Sequence, residues 1–255
     1  MVNTARKVSD FVVTRVFVNP LQFGVDADLL AIPADFGGGW RLLADAGGDV
    51  LFAPSVEEMY RKGWRRLRGV VVPGVSEGLC GAQRPGHFDV LGQTVVTKLL
   101  NMVQPELAVF GEKDYQQLAV VRKLVRDLNL PIEIIAQPTI REPDGLAMSS
   151  RNRFLDRSRS PCLFDTLRRL ASGISEGSQP EALIAEAVED LEREGARVDY
   201  LELRRQDRCC RRSLRIGAGA AYRCSPGNDS TNRLLSLRTH ELRLKRVHSA
   251  WHNDD

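Results

Sequence analysis

The chain is short of cysteine, histidine, aromatic residues and long apolar runs, and each shortage excludes something. Its five cysteines, Cys80, Cys162, Cys209, Cys210 and Cys224, are odd in number and irregularly spaced. With no secretion signal they do not read as a disulfide framework. The opening MVNTARKVSD has no apolar signal core, and no apolar run reaches the roughly 18 residues that span a bilayer. A cytoplasmic location and no membrane partner are the expectation. Three of the four histidines, His240, His248 and His252, fall in the last 52 residues, leaving His87 alone in the rest of the chain. His248 and His252 have H-x3-H spacing, but no C-x2-C or C-x4-C pair accompanies them, so a structural zinc is not expected. No Ser or Cys nucleophile pattern accompanies His87. A Walker A loop is absent. Ile216-Gly217-Ala218-Gly219 is not a dinucleotide loop, because Tyr222 stands where the third glycine belongs.

What is present is ample apolar residue. The chain has 255 residues, 43% of them hydrophobic, enough to bury one large core or two ordinary ones. The net charge of +3 hides an asymmetry. Residues 204–255 hold 12 Lys and Arg against 5 Asp and Glu, a net +7; residues 1–203 hold 24 against 28, a net −4. The basic character belongs to the tail. Binding of nucleic acid through that tail ranks last among the readings, because with 6% aromatic residues no aromatic side chains interleave its arginines as a stacking surface.

The patterning alternates strand and helix. FVVTRVFV (11–18) reads as a buried strand that Asn19-Pro20 ends, and DVLFA (49–53) as a second. Ser55 with Glu58 has the form of a capping box. Residues 69–72 read as a third strand, 94–103 as a helix and 106–110 as a strand. Residues 114–128 are the clearest helix, with Leu118, Val121, Leu124, Val125 and Leu128 at helical spacing; Pro131 stops it, and 132–136 is a strand. Such alternation predicts an α/β fold with a parallel sheet, ligands sitting at the carboxyl ends of its strands. After Pro138 the pattern changes. Glu142-Pro143-Asp144-Gly145 marks a turn. Helical patterns follow at 162–172 and 180–194, and a strand at 198–203. The three glycines Gly37–Gly39 precede what should be a helix. Residues 204–255 show no sustained period of either kind.

Three short segments carry candidate chemistry. GEKDYQQ (111–117) lies where a strand ends and a helix begins. Gly111 lets backbone approach a ligand, and Lys113 stands beside a helix N-terminus whose amides favour phosphate. Equally, Asp114 can be a plain N-cap with Gln117 closing a capping box. NPLQF (19–23) places Gln22 in a tight apolar loop, as a ligand-orienting amide or as an ordinary turn residue. MSSRN (148–152) offers Ser149, Ser150 and Arg151, whose guanidinium matches phosphate oxygens; the plain alternative is a capping Ser pair beside a surface Arg.

In order and wording, FVNPLQFG, FAPSVEEMY, VPGVSEGLCGAQRPGHF, TVVTKLL, VQPELAVFGEKDYQQLAVVRKLVRDLNLP and PTIREPDGLAMSSRNRFL resemble successive segments of the pantothenate synthetases. The resemblance covers about residues 6–203 and is strongest over 70–155. It implies an AMP-forming ligase of the coenzyme A pathway that joins pantoate to β-alanine through pantoyl adenylate, using ATP with Mg2+. It implies a Rossmann-like parallel-sheet domain (1–139), a smaller, partial C-terminal α+β domain (140–203) and a homodimer formed through the first. By similarity, Gln22 and Gln117 bind pantoate, and Gln22 also lies near β-alanine. Gly111, Glu112, Lys113 and Asp114 bind ATP, with Lys113 on phosphate and Asp114 near the ribose. Ile140 lines the adenine, and Met148, Ser149, Ser150 and Arg151 form the phosphate loop. Lys113 and Arg151 carry the charge stabilisation, and no protein-held metal is expected.

The sequence also departs from that family. Members begin with a strand and helix carrying PTMGALHEGH, whose two histidines contact ATP phosphates. No His-x-Gly-His occurs here, and the similarity starts near the end of that helix. Residues 26–48 drift, HFDVLGQTVV replaces something like HFDGVLTVV, and the resemblance stops after YLELR. The remainder reads like another translation frame, a divergent basic tail for which disorder is one reading. These departures leave a second expectation open: an impaired remnant that binds substrate or an intact subunit without turnover.

Overall fold

A computed structural model of the chain describes residues 1–17, 19, 36–61, 70, 72–77, 79–83, 95–149, 152, 160–205, 213–222 and 235–243. The chain divides into two compact units, Met1–Pro138 and Thr139–Asp255.

The first unit alternates helix and strand as its patterning predicts. Its elements are α1 (Val2–Arg6), β1 (Val13–Arg15), α2 (Phe36–Asp45), β2 (Val50–Phe52), α3 (Val56–Met59), α4 (Leu79–Gln83), α5 (Val96–Val103), β3 (Leu107–Gly111), α6 (Tyr115–Asp127) and β4 (Glu133–Gln137). All strand pairing in this unit is parallel among the described residues. Val13 is opposite Val50 in one pair, and Leu107 opposite Glu133 in the other. Parallel neighbours need a crossover between them, which α6 supplies for β3 and β4. The apolar spacing of α6 buries Leu118, Val121, Leu124 and Val125 as expected, together with Val120 and Gln116, whereas Leu128 caps the helix end and lies 44% exposed. Asn129, at φ 51°, turns the chain beyond its end and Pro131 prevents continuation.

Local capping is legible too. Ser55 Oγ accepts from Glu58 N–H at 3.1 Å while the Glu58 carboxylate accepts from Ser55 N–H at 2.7 Å, a complete capping box on α3. The bond from Ser55 N–H, then the Ser55 hydroxyl, hold the Glu58 carboxyl below the ordinary glutamate range. Met59 and Tyr60 then seal a small core with Val95 and Leu99, against which Phe17 and Phe52 pack.

Three expectations are corrected. Among the described residues the strand foreseen over 11–18 is confined to Val13–Arg15, with backbone bonds at Val12 and Val16 beyond its ends, and Phe11 lies 62% exposed. Val70 and Val72, in the foreseen third strand, are not in strand conformation. Gly37–Gly39 lie inside α2 rather than before it, although each glycine costs a helix about 1 kcal/mol relative to alanine.

α1 is tied to both strand pairs. Its Thr4 hydroxyl bonds Gln137 at the carboxyl end of β4. Its Arg6 donates to Asp49 at 2.6 Å and to the carbonyl of Gly47 at 3.0 Å, at the entry to β2. Asp49 also accepts from Val12 N–H at 2.6 Å. That backbone bond, then the Arg6 bond, hold its carboxyl below the usual aspartate range.

The second unit is α+β. A short hairpin pairs Arg141 with Ala147; α7 (Ser160–Ser175) and α8 (Pro180–Arg193) follow, then β5 (Ala196–Arg205), β6 (Ser213–Tyr222) and β7 (Leu235–Arg243). The three strands form an antiparallel sheet in chain order. Leu163, Leu167, Leu170 and Ile174 on α7, Ala187 and Leu191 on α8 and Leu201 on β5 make one core. Fully burying each leucine contributes roughly 1.5–3 kcal/mol. Gly173 lets the helices close up, since a Cβ there would stand 2.8 Å from Leu183 Cδ1. Residues 204–255 show no sustained period, yet β6 and β7 lie there. Pairing partners, not local preference, set strands of this kind.

Candidate functional site

The first cluster is built where β3 meets α6. Gly111 is the last residue of β3 and stands in extended backbone, φ −75° and ψ 135°. Glu112, Lys113 and Asp114 form one tight 3-10 turn, and α6 starts at Tyr115. Gln117 lies in the first turn of α6. Gly111 to Gln117 are thus consecutive around one strand-to-helix corner, at the carboxyl end of a parallel strand, where α/β sheets hold their ligands.

Two features of this corner favour an anion. The dipole of the 13-residue α6 adds partial positive charge at this end. Lys113 adds a full one. The plain capping reading is not what forms: Asp114 makes no side-chain cap bond to α6.

Gly111 itself is informative. Its backbone angles suit any residue, so no left-handed conformation demands glycine. Among the described residues a Cβ added there would meet only the Met1 sulfur, at 4.0 Å, so their packing does not demand it either. Close approach of backbone to a ligand is one physical reason for a glycine at that place.

The second cluster is the hairpin of the second unit. Glu142 N–H donates to Leu146 O at 2.7 Å, Gly145 N–H to Glu142 O at 2.9 Å and Met148 N–H to Ile140 O at 2.9 Å. Arg141 braces the turn: it donates to Gly145 O at 3.0 Å and lies 4.3 Å over the Phe164 ring. Burial lowers the pKa of that guanidinium. The hairpin leaves the apolar side chains of Ile140 and Met148 exposed, 56% and 51%. Ser149 is half-buried, and Asn152 ties the following turn back by donating to Ala147 O at 3.1 Å.

Gln22, Ser150, Arg151 and His87 lie outside the described residues, so their expected places stay untested. Two further residues stand near the candidates in the chain and were not singled out in the sequence. Asn19, three residues before Gln22, is fully buried and accepts from the Tyr60 hydroxyl at 2.8 Å. Burial raises the pKa of that phenol. Gln116 is 7% exposed and donates into the 73–77 loop. Its signal was the doubled amide of DYQQ, of which spacing singles out neither. Among the described residues no group of three His, Cys, Asp or Glu side chains is placed to hold a metal, and no helix is long and apolar enough to cross a membrane. A cavity of about 530 Å3 is lined by residues such as Arg122, Arg126 and Ile132, at the far end of α6 from the candidate corner.

The profile of the family described as pantoate-beta-alanine ligase matches residues 1–230. A curated pantothenate synthetase of Pseudomonas aeruginosa is 54% identical over 208 residues, which are 80% of this chain and 73% of that protein. The pantothenate synthetase of Pseudomonas putida KT2440 is likewise 54% identical, over 80% of this chain and 72% of its own length. The crystal structure of the Thermus thermophilus pantothenate synthetase superposes with a TM-score of 0.76 at 41% identity, covering 85% of this chain and 82% of that one. The Francisella tularensis pantoate-beta-alanine ligase, solved in complex with beta-gamma ATP and beta-alanine, gives 0.64 at 31% identity, over 85% and 78%.

Proposed function

The chain belongs to the pantoate-beta-alanine ligase family, and from that premise we propose that it condenses pantoate with β-alanine at the expense of ATP. The pantoate carboxylate attacks the α-phosphate and pyrophosphate leaves. The β-alanine amine then attacks the acyl carbon of pantoyl adenylate, and AMP leaves. The observation that carries the reading is the glycine corner of Gly111–Asp114, where neither backbone angles nor packing among the described residues explains Gly111.

Each residue has a physical task in this reading. Backbone at Gly111 and Glu112 lies against ATP, Lys113 compensates phosphate charge, and Asp114 accepts from the ribose. Gln117, with Gln22, binds the hydroxyls and carboxylate of pantoate, and Gln22 also faces β-alanine. Ile140 and Met148 give apolar cover to the adenine; Ser149, Ser150 and Arg151 bind phosphate. Lys113 and Arg151 stabilise charge developing on the leaving pyrophosphate. Magnesium arrives on the nucleotide phosphates, as Mg2+ commonly does, rather than in a protein cage. Residues 1–139 act as the nucleotide-binding domain and 140–203 as a partial second domain. The protein is cytoplasmic and works as a homodimer.

A second reading is a chain that binds pantoate without turning it over.

The test is AMP release by the purified chain with ATP, Mg2+, pantoate and β-alanine, against controls omitting each. Release that needs both organic substrates supports the ligase. A folded sample that binds pantoate and releases no AMP supports the second reading.

A further inference from the structure

Residues 72–77 follow the first two valines of VVVPG and fold into a compact turn. Ser76 Oγ donates to Val72 O at 2.9 Å, and Glu77 N–H donates to Gly74 O at 3.3 Å. The Glu77 carboxylate accepts from Gly74 N–H at 3.1 Å. The carbonyls of Val75 and Glu77 then point to one group from elsewhere in the chain. Gln116 Nε2 donates to Val75 O at 3.2 Å and to Glu77 O at 3.4 Å. An amide nitrogen has two hydrogens, one for each. Gly81 of α4 stays close behind: a Cβ there would stand 1.8 Å from Ser76 O and 3.5 Å from Gln116 Nε2.

Gln116 lies in the first turn of α6, in sequence between the corner that carries Lys113 and Asp114 and the amide of Gln117. It is 7% exposed, on the face of the helix that packs inward. A long polar side chain there loses rotamer freedom and hydration and gives no apolar burial in return. A leucine would fill the position at lower cost, so the amide is there for its hydrogens.

We propose that Gln116 is a positioning residue: through its two hydrogen bonds to Val75 and Glu77 it locks the 73–77 loop to the first turn of α6 and thereby holds Gln117 in register for pantoate. The inference rests on the ligase reading for its last step only. The lock is a property of the unliganded chain. Gln116→Glu keeps the shape and replaces the donor by acceptor oxygens facing two carbonyls. Gln116→Leu removes the polar group altogether.

Two measurements decide it. Amide hydrogen exchange on the unliganded full chain is expected to speed up at least about tenfold over residues 72–81 in both variants, the fall in protection that follows loss of a buried hydrogen-bonded tie. Amides of 118–125, inside α6, keep their wild-type rates. If 72–81 exchange as in the wild type, the lock does not exist and the proposal is overturned. If exchange rises equally throughout α6, the residue merely stabilises the unit, which also overturns it. For the second step, the KM for pantoate is expected to rise about tenfold with kcat changed less than threefold, and Gln116→Glu is expected to be no better than Gln116→Leu. A fall in kcat with unchanged KM overturns the positioning role. If the wild type does not turn over, the Kd for pantoate by calorimetry replaces KM. If the wild type does not bind pantoate either, the ligase reading and its positioning step fail, and the exchange experiment still decides the lock.

Discussion

Replacing Gly111 by alanine separates a glycine kept for folding from one kept for a ligand. The wild-type backbone at Gly111, φ −75° and ψ 135°, is open to alanine without strain. Among the described residues the added methyl meets nothing nearer than the Met1 sulfur at 4.0 Å, an ordinary van der Waals contact. Alanine has fewer unfolded conformations to lose, so at a compatible site the change stabilises by about 0.4–1 kcal/mol. Urea unfolding should therefore show an equal or higher midpoint with unchanged slope. Nucleotide binding should move the other way. A methyl placed where phosphate meets backbone pushes the ligand out of hydrogen-bond range. Losing one such bond costs roughly 1.5–3 kcal/mol, or about 10- to 150-fold in affinity. Calorimetric titration with a non-hydrolysable ATP analogue reads this directly, with or without turnover. A midpoint that falls by more than about 1 kcal/mol equivalent would mean the glycine is structural after all. Raised stability with unchanged nucleotide affinity would mean the corner is not the phosphate site, and would remove the main physical support for the ligase reading.

Other perturbations test the surroundings. Tyr60→Phe deletes the hydroxyl that donates to buried Asn19 at 2.8 Å; urea unfolding should show a loss of about 1–2 kcal/mol, and a double-mutant cycle with Asn19→Leu should show coupling between the two. Gly145→Ala should cost at least about 2 kcal/mol, because the residue has φ +88° and its Cβ would stand 2.0 Å from the Phe164 ring; a thermal melt within error of the wild type would refute the tight turn. The carboxyls of Asp49, Asp127 and Asp190 are all held below the ordinary range, by the Val12 amide and Arg6, by Lys123, and by Arg193 and Arg169 respectively. With folded pKa values depressed, their contribution is present above about pH 4, the unfolded value, and is lost as pH falls through the lower folded values. Asp49→Asn should therefore lower stability at neutral pH and flatten the acid limb of stability against pH; an acid limb parallel to that of the wild type would refute the assignment.

Legibility in the sequence followed how local each signal was. The Ser55–Glu58 capping box, the apolar stripe of α6 and the stop at Pro131 are decided within a few residues, and the structure has all three. The corner at 111–117 was legible as a strand-to-helix junction for the same reason. Where the outcome depended on distant partners, the sequence misled. The apolar run at 11–18 reads as a full strand, but among the described residues the strand spans only Val13–Arg15, and Phe11 turns outward. Gly37–Gly39 read as a break, yet they lie in a helix, against their own preference. The strands β6 and β7 have little periodicity and exist through antiparallel pairing with β5. Gln116 could not be separated from Gln117 by spacing, since only the position of the 73–77 loop tells which amide turns inward.

The pairing pattern also bears on how the candidate corner is held. Among the described residues β3 pairs with β4 alone, and every position from Leu107 to Gly111 is half-buried rather than buried. Parallel strands are ordinarily covered on both faces, and a sheet of two strands is marginal by itself. What anchors the corner is therefore the helix that follows it: Leu118, Val120, Val121 and Leu124 are within 1% of complete burial. β3 fixes where Gly111 emerges, α6 fixes the direction in which Lys113 and Gln117 continue, and α1 adds the Thr4–Gln137 and Arg6–Asp49 ties across the two strand pairs. A corner held mostly from its helix side gains from anything that bridges it to the strand side. On the proposed reading a ligand seated on backbone at Gly111 and on Lys113 would be such a bridge, and by mass action at about one hundred times its Kd it would stabilise the folded chain by about 2.7 kcal/mol. Binding at this corner and the stability of the first unit are then two readings of the same contacts, which is why substitutions at Gly111 and Gln116 must be followed by both.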